Sequence, residues 1–107
     1  MTRAWLRPRA EADLIDSTRY YRSVGGDDLG ERFFDAAFAS LRTIERAPNI
    51  GSPAIGELCD VPGLRSWRVK GFPIRWYYFV AEGHLDVVRL LADARDLSEI
   101  LEGTDPP

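Results

Sequence analysis

An α+β fold follows from three features of this 107-residue chain: an amphipathic helical hairpin near its start, a turn-rich connector in its middle, and three strand-like runs towards its end. The gaps between those runs are too short for parallel crossovers, so the runs must pair as hairpins. The predicted order is β-α-α-β-β-β, an N-terminal strand and helical hairpin packed on one face of a small twisted antiparallel β-sheet. At 12.1 kDa there is material for one modest core, so residues 1–107 are expected to form a single domain with a frayed tail at 102–107.

The elements are justified in turn. "TRAWL" reads as a short strand, and Pro8 suits the first turn of a helix, where its missing N–H costs nothing. From Arg9 to about Val24, Ala10, Leu14, Ile15 and Tyr21 fall near one helical face, leaving Glu11, Asp13, Asp16 and Arg22 to solvent. "GGDD" breaks the pattern, after which Asp28 and Glu31 have the spacing of a helix cap and its capping-box partner. Phe34, Ala37, Phe38, Leu41 and Ile44 then recur at intervals of three and four, predicting a second helix that ends near Ala47 or Pro48. Ala47 to Gly63 is rich in turn formers and predicts a connector with one short helical turn. Leu64 to Val69, Ile74 to Val80 and Leu85 to Leu91 read as strands, and Ala94 to Leu101 as a terminal helical turn.

Composition narrows the function classes. Cys59 has no partner for an intrachain disulfide, and one Cys with one His is too little for a zinc site, so no metal or cofactor is expected. A single thiol suits a reducing compartment, which makes the cytoplasm the expected location. No apolar run approaches the roughly 20 residues that span a bilayer, and the opening lacks a hydrophobic signal core. Neither anchoring nor export is expected. The formal charge of −3 comes from the tail: residues 1–92 carry thirteen basic and twelve acidic residues, residues 93–107 one and five. Such a chain has no general attraction for phosphate backbones, although one basic face could still bind them.

That face would be "GLRSWRVKGFPIRWYYFV", Gly63 to Val80, where every charge is positive. Strand alternation sets Arg65, Trp67 and Val69 opposite Ser66 and Arg68, and Ile74, Trp76, Tyr78 and Val80 opposite Arg75, Tyr77 and Phe79. Helices can cover one face; the other keeps aromatic surface for loops, a second chain or a ligand to close. Core packing is the first reading of Trp67, Trp76 and Phe79, and partner recognition the second. Arg65, Arg68, Lys70 and Arg75, joined across the sheet by Arg89, could form a phosphate-binding patch. A nuclease also needs proton-transfer groups, and arginine is a poor base. Tyr77 and Tyr78 would serve only if their environment moved them from a reference pKa of about 10. No catalytic residue is assigned, and interface or structural roles are the first reading of the cations. His84 reads as a turn residue, Cys59 as a buried or incidental thiol, and Asp93, Asp96 and Glu99 as a solvated end rather than a metal face.

Four stretches, "AEADL", "RAPNIG", "GLRSWRVKGFPIRWYY" and "LDVVRLLADARDL", in that order and spacing, resemble the ParE branch of the RelE/ParE toxin superfamily over roughly Ala4 to Leu97. The resemblance implies a bacterial type II toxin of the plasmid-stabilisation kind, neutralised by a protein antitoxin in a toxin–antitoxin heterotetramer. It also implies a RelE/ParE-like fold. ParE-like members are associated with poisoning DNA gyrase and blocking replication, without a small catalytic constellation of their own. RelE-like relatives instead cut mRNA in the ribosomal A site, with basic sheet residues and a C-terminal tyrosine. Arg65, Arg68 and Arg89 retain parts of that basic surface, but no tyrosine follows Tyr78. Ala92 stands where many relatives have histidine, while Arg95 and Asp96 remain. The leading expectation is a gyrase poison acting through Arg65, Trp67, Arg68, Lys70, Arg75, Arg89 and Arg95. A ribosome-dependent endoribonuclease is the alternative, followed by a diverged toxin fold that acts mainly in complex formation.

Overall fold

The computed structural model describes residues 2–93 and 96–107. A strand, β1 (Ala4–Leu6), leads into a long helical segment, α1 (Pro8–Arg46). A 3-10 turn (Pro48–Ile50) and a short helix, α2 (Ala54–Leu58), occupy the connector. Strands β2 (Arg65–Arg68), β3 (Ile74–Ala81) and β4 (His84–Ala92) follow, and α3 (Leu97–Leu101) completes the order.

Gly26 divides α1 into the two arms of the predicted hairpin. Its φ of 79° and ψ of −177° belong to a region that side-chain-bearing residues avoid, so the chain turns there, two residues before the expected cap at Asp28. Ala10 and Leu14 of the first arm and Phe33, Ala37, Leu41 and Ile44 of the second are buried. This corrects the predicted face in two places. Ile15 is one residue, about 100° of helical rotation, past Leu14 and points outward. Phe33 rather than Phe34 carries the buried stripe, while Phe34 packs on Phe38 along the flank, ring centroids 4.8 Å apart.

The sheet runs β1-β4-β3-β2. β2, β3 and β4 pair antiparallel as their short loops require, but β1 lies parallel to β4, with Ala4 opposite Leu85 and Leu6 opposite Val87. The sheet is therefore mixed. The long excursion through α1 and the β2–β3 hairpin is what permits a parallel partner. β3 alternates as predicted: Ile74, Trp76 and Tyr78 face α1, and Tyr77 and Phe79 face away. In β4 the register slips between Tyr77 and Tyr78, leaving Val88 as an extra residue. Val87 and Leu90 consequently both face α1, three residues apart, while Val88 points to the opposite side.

Both faces are covered. α1 packs on Val69, Ile74, Trp76, Tyr78, Leu85, Val87 and Leu90. Opposite, Cys59, Val61 and Leu64 of the connector and Leu101 of α3 close over Tyr77, Phe79 and Val88. Loops from the same chain thus take the surface that composition alone left open. Where composition predicts a loose end, the Thr104 N–H bonds the Leu101 carbonyl at 3.1 Å, and the Asp105 carbonyl accepts from Arg7 at 2.7 Å. No helix among the described residues is long and apolar enough to cross a membrane.

Candidate target-facing surface

β2 is an edge strand, and the second arm of α1 runs beside it. Between them lies an open groove of about 400 Å³, floored by Ala36, Ala39, Ser40 and Thr43 and walled by Trp67, Arg68 and Lys70. The floor residues recur at i, i+3, i+4 and i+7, so they share one helical face, and their small size leaves room. Ser40 and Thr43 do not make that floor polar. Their hydroxyls donate to the carbonyls of Ala36 and Ala39 at 2.8 and 3.1 Å, which leaves methyl and methylene surface towards the groove. Arg68 and Lys70 are exposed at the rim, and neither has an acidic partner among the described residues.

The backbone beside them is partly open as well. Ser66 exchanges two hydrogen bonds of 2.9 Å with Ser52 on the outer side of β2. Alternation along the strand then turns the N–H and C=O of Arg68 outward too, and among the described residues no other backbone pairs with them there.

The seven sequence candidates divide between unlike environments. Trp67, Arg68 and Lys70 meet at the groove. Arg65 donates to the carbonyls of Asn49 and Gly51 at 3.1 and 2.7 Å, tying the connector to the sheet. Arg75 lies on the opposite face, its Nε 3.7 Å from Asp93, beside a shallow depression shared with Ile55, Leu58 and Tyr77. Arg89 is engaged by Asp13 through Nε at 2.7 Å and Nη2 at 3.1 Å. Arg95 lies outside the described residues.

Asp13 was expected in solvent; its actual role follows from the shortness of β1. That strand pairs only with residues 85–87, so the outer side of β4 is uncovered beyond Val87. Asp13 reaches this edge from α1, accepting the Leu90 N–H at 3.0 Å as well as the Arg89 guanidinium. One carboxylate thus seals a strand edge and fastens the hairpin to the sheet, in a forked geometry among the stronger polar contacts a protein makes. Nothing in local periodicity marks this pairing across 76 residues. The floor of the groove was missed, although its signal is local: Ala36, Ala39, Ser40 and Thr43 form a helical stripe of small residues beside the apolar stripe.

Neither tyrosine is placed for proton transfer. Tyr77 and Tyr78 are both buried, and burial raises both phenols above their ordinary pKa. Tyr78 remains raised although the Gly51 N–H and Arg65 pull the other way. Its hydroxyl donates to the Pro48 carbonyl at 2.6 Å and accepts from the Gly51 N–H at 3.0 Å, a fastening for the connector. His84 opens β4 and stacks on Trp5, centroids 4.4 Å apart. Cys59 is buried, its thiol donating to the Ile55 carbonyl at 2.9 Å.

No curated protein sequence matches the chain. A solved structure described as the chromosomal ParDE TA system from P. aeruginosa is similar in fold, with a TM-score of 0.74 at 17% identity over 88% of this chain and 98% of that one. The family described as "ParE toxin of type II toxin-antitoxin system, parDE" matches residues 6–97, from the end of β1 to the start of α3. That match runs through the hairpin, the groove and the sheet together, and the chain therefore belongs to the ParE toxin family of type II toxin–antitoxin systems.

Proposed function

We propose that this chain arrests growth in the cytoplasm by poisoning DNA gyrase, and that a cognate antitoxin silences it within a toxin–antitoxin heterotetramer. One observation carries the reading: a groove with an apolar floor and, at its rim, two cations without acidic partners among the described residues, in a chain whose sheet tyrosines are buried. Such a groove suits an acidic, amphipathic segment that buries apolar side chains on Ala36 and Ala39 and sets carboxylates against Arg68 and Lys70. The outward backbone of Arg68 offers an extended segment a place to continue the sheet. Arg68, Lys70 and Trp67 are the residues for which antitoxin and target would compete. Arg65, Arg75 and Arg89 support the surface from behind.

A gyrase poison needs a shaped surface rather than a proton relay, which agrees with raised tyrosine pKa values. Induced expression, followed in parallel for gyrase-dependent double-strand breaks and ribosome-dependent mRNA cuts, tests the proposal. Breaks without RNA cleavage are expected. RNA cleavage without breaks would replace the mechanism by the endoribonuclease one, and the absence of both would leave complex formation as the role. Against the antitoxin encoded beside the gene, Arg68→Glu with Lys70→Glu is expected to weaken binding by about tenfold or more, read by titration calorimetry.

A further inference from the structure

The second arm of α1 carries a third stripe, besides the one that faces the sheet and the one that floors the groove. Glu31, Asp35, Phe38, Arg42 and Arg46 recur at intervals of four, three, four and four, which keeps them within about 80° of one another around the arm. The four charged members are exposed, and none has an ion-pair partner among the described residues. Phe38 is half-buried, and Phe34 beside it is 42% exposed. Two open depressions adjoin the Phe34 ring, one of about 490 Å³ that reaches Glu31 and one of about 360 Å³ that reaches Phe38 and Arg42.

The order of the charges is what matters: acids precede Phe38, and bases follow it. Such an order also suits a helix's own dipole, but that effect fades within the terminal turns, and Asp35 and Arg42 lie inside them. Asp35 and Arg42 are about 10 Å apart along the axis, too far to pair within the arm. Against a second arm laid antiparallel, positions equally far from a common centre stand opposite each other. Asp35 and Arg42 are equally far from the point between Phe38 and Ala39, and so are Glu31 and Arg46. A single twofold axis at that point therefore sets every charge of the stripe against an opposite one, and brings the two Phe38 side chains together beside it.

We propose that this stripe is a self-complementary docking surface whose partner is a second copy of the chain, packed arm to antiparallel arm with Asp35 on the other copy's Arg42 and Glu31 on its Arg46. Charge separates this surface from the groove. An acidic segment of the kind that suits Arg68 and Lys70 would be repelled by Glu31 and Asp35, whereas a second copy turned end for end meets opposite charge at both ends. The stripe lies roughly 100° around the arm from the floor of the groove, so the two surfaces are separate. The contact spans about four turns of helix, which places the dimer among small, reversible ones. The inference does not rest on gyrase being the target.

Sedimentation equilibrium of the full chain, without antitoxin and at low salt, tests it. A monomer–dimer equilibrium in the micromolar range is expected, weakening as salt is added. Asp35→Arg and Arg42→Asp each turn two attractions into two repulsions, and each should weaken self-association about tenfold or more. Both positions are exposed, so the denaturation midpoint should stay near that of wild type. Both changes in one chain, or an equal mixture of the two single variants, recreate opposite pairs and should restore the dimer. A wild-type chain that stays monomeric would overturn the proposal. So would a dimer indifferent to the single reversals, because the contact would then lie elsewhere, and so would single losses that neither the double variant nor the mixture restores. Where both chains are monomeric, Asp35→Arg should bind the cognate antitoxin as wild type does; a tenfold loss would assign the stripe to the antitoxin instead.

Discussion

The two faces of the sheet are built from the same strands and sealed in opposite ways. On one, the two arms of a 39-residue helical segment lay Ala10, Leu14, Phe33, Ala37, Leu41 and Ile44 over Trp76 and Tyr78. On the other, short pieces from either side of the β2–β4 meander, Cys59 to Leu64 and Leu97 to Leu101, close over Tyr77 and Phe79. A long amphipathic helix brings its own backbone hydrogen bonds, and its apolar face does the sealing. Short loops must instead be tied down bond by bond. That is why Arg7, Arg65 and Tyr78 all donate to loop or tail carbonyls, beside the single Asp13 carboxylate that clamps the long hairpin itself. Stability should therefore concentrate on the α1 face, and adaptability on the other.

The largest effect that would test this difference is expected at Trp76. It is fully buried under α1, and its indole N–H donates to the Ala37 carbonyl at 3.0 Å. Trp76→Ala should cost about 4 kcal/mol, a large share of the roughly 5–15 kcal/mol that holds an ordinary domain folded, as read by chemical denaturation. Asp13→Ala comes next. It strands the Arg89 guanidinium at a largely buried site and uncovers the Leu90 N–H, for a cost of about 3 kcal/mol. If both variants unfolded no more easily than wild type, the α1 face would not be the anchor. Leu101→Ala should cost less, about 1 kcal/mol. The five-residue α3 can contribute no more than its own docking free energy, whereas the same deletion at Leu41 removes packing beneath the long helical hairpin. Equal losses at Leu41 and Leu101 would erase the distinction.

How much of this could be read beforehand depends on the range of the interaction. The two arms of α1, the break at "GGDD" and the alternation of β3 were legible because helix and strand periodicity are local properties. The slip from Ile15 and Phe34 to the observed stripe came from heavy apolar residues standing one position off a face that smaller ones also mark. Phe33 and Phe34 are equally greasy, and only the sheet decides between them. The parallel partnership of β1, the bulge at Val88 and the Asp13 clamp were not legible, because each answers a vacancy left by another part of the chain. Asp13 matters because β1 stops at Leu6, and no window around Asp13 contains that fact. At the candidate surface the cations were all visible, but their commitments were not. Arg65 and Arg89 look the same in sequence as Arg68, and only the fold separates anchors from exposed charges.

The finest version of the comparison lies between adjacent residues. Tyr78 faces α1 with a hydroxyl that makes two hydrogen bonds to the connector, while no such bond is formed by Tyr77 on the other face among the described residues. Tyr78→Phe should therefore cost about 2 kcal/mol at neutral pH, through the stranded Pro48 carbonyl and Gly51 N–H, whereas Tyr77→Phe should be nearly silent there. Alkaline pH separates them differently. Burial raises both phenols, so above a pH of about 10 the unfolded chain releases tyrosine protons that the folded chain still holds, and stability falls as pH rises. Below that pH both states keep the proton and the contribution is flat. Tyr77→Phe removes one such group without disturbing packing, so its denaturation midpoint should match wild type at pH 7 and exceed it at pH 11. A wild-type slope in the variant would mean that Tyr77 ionises as freely in the folded chain as in the unfolded one, and that the face beneath α3 is already wet.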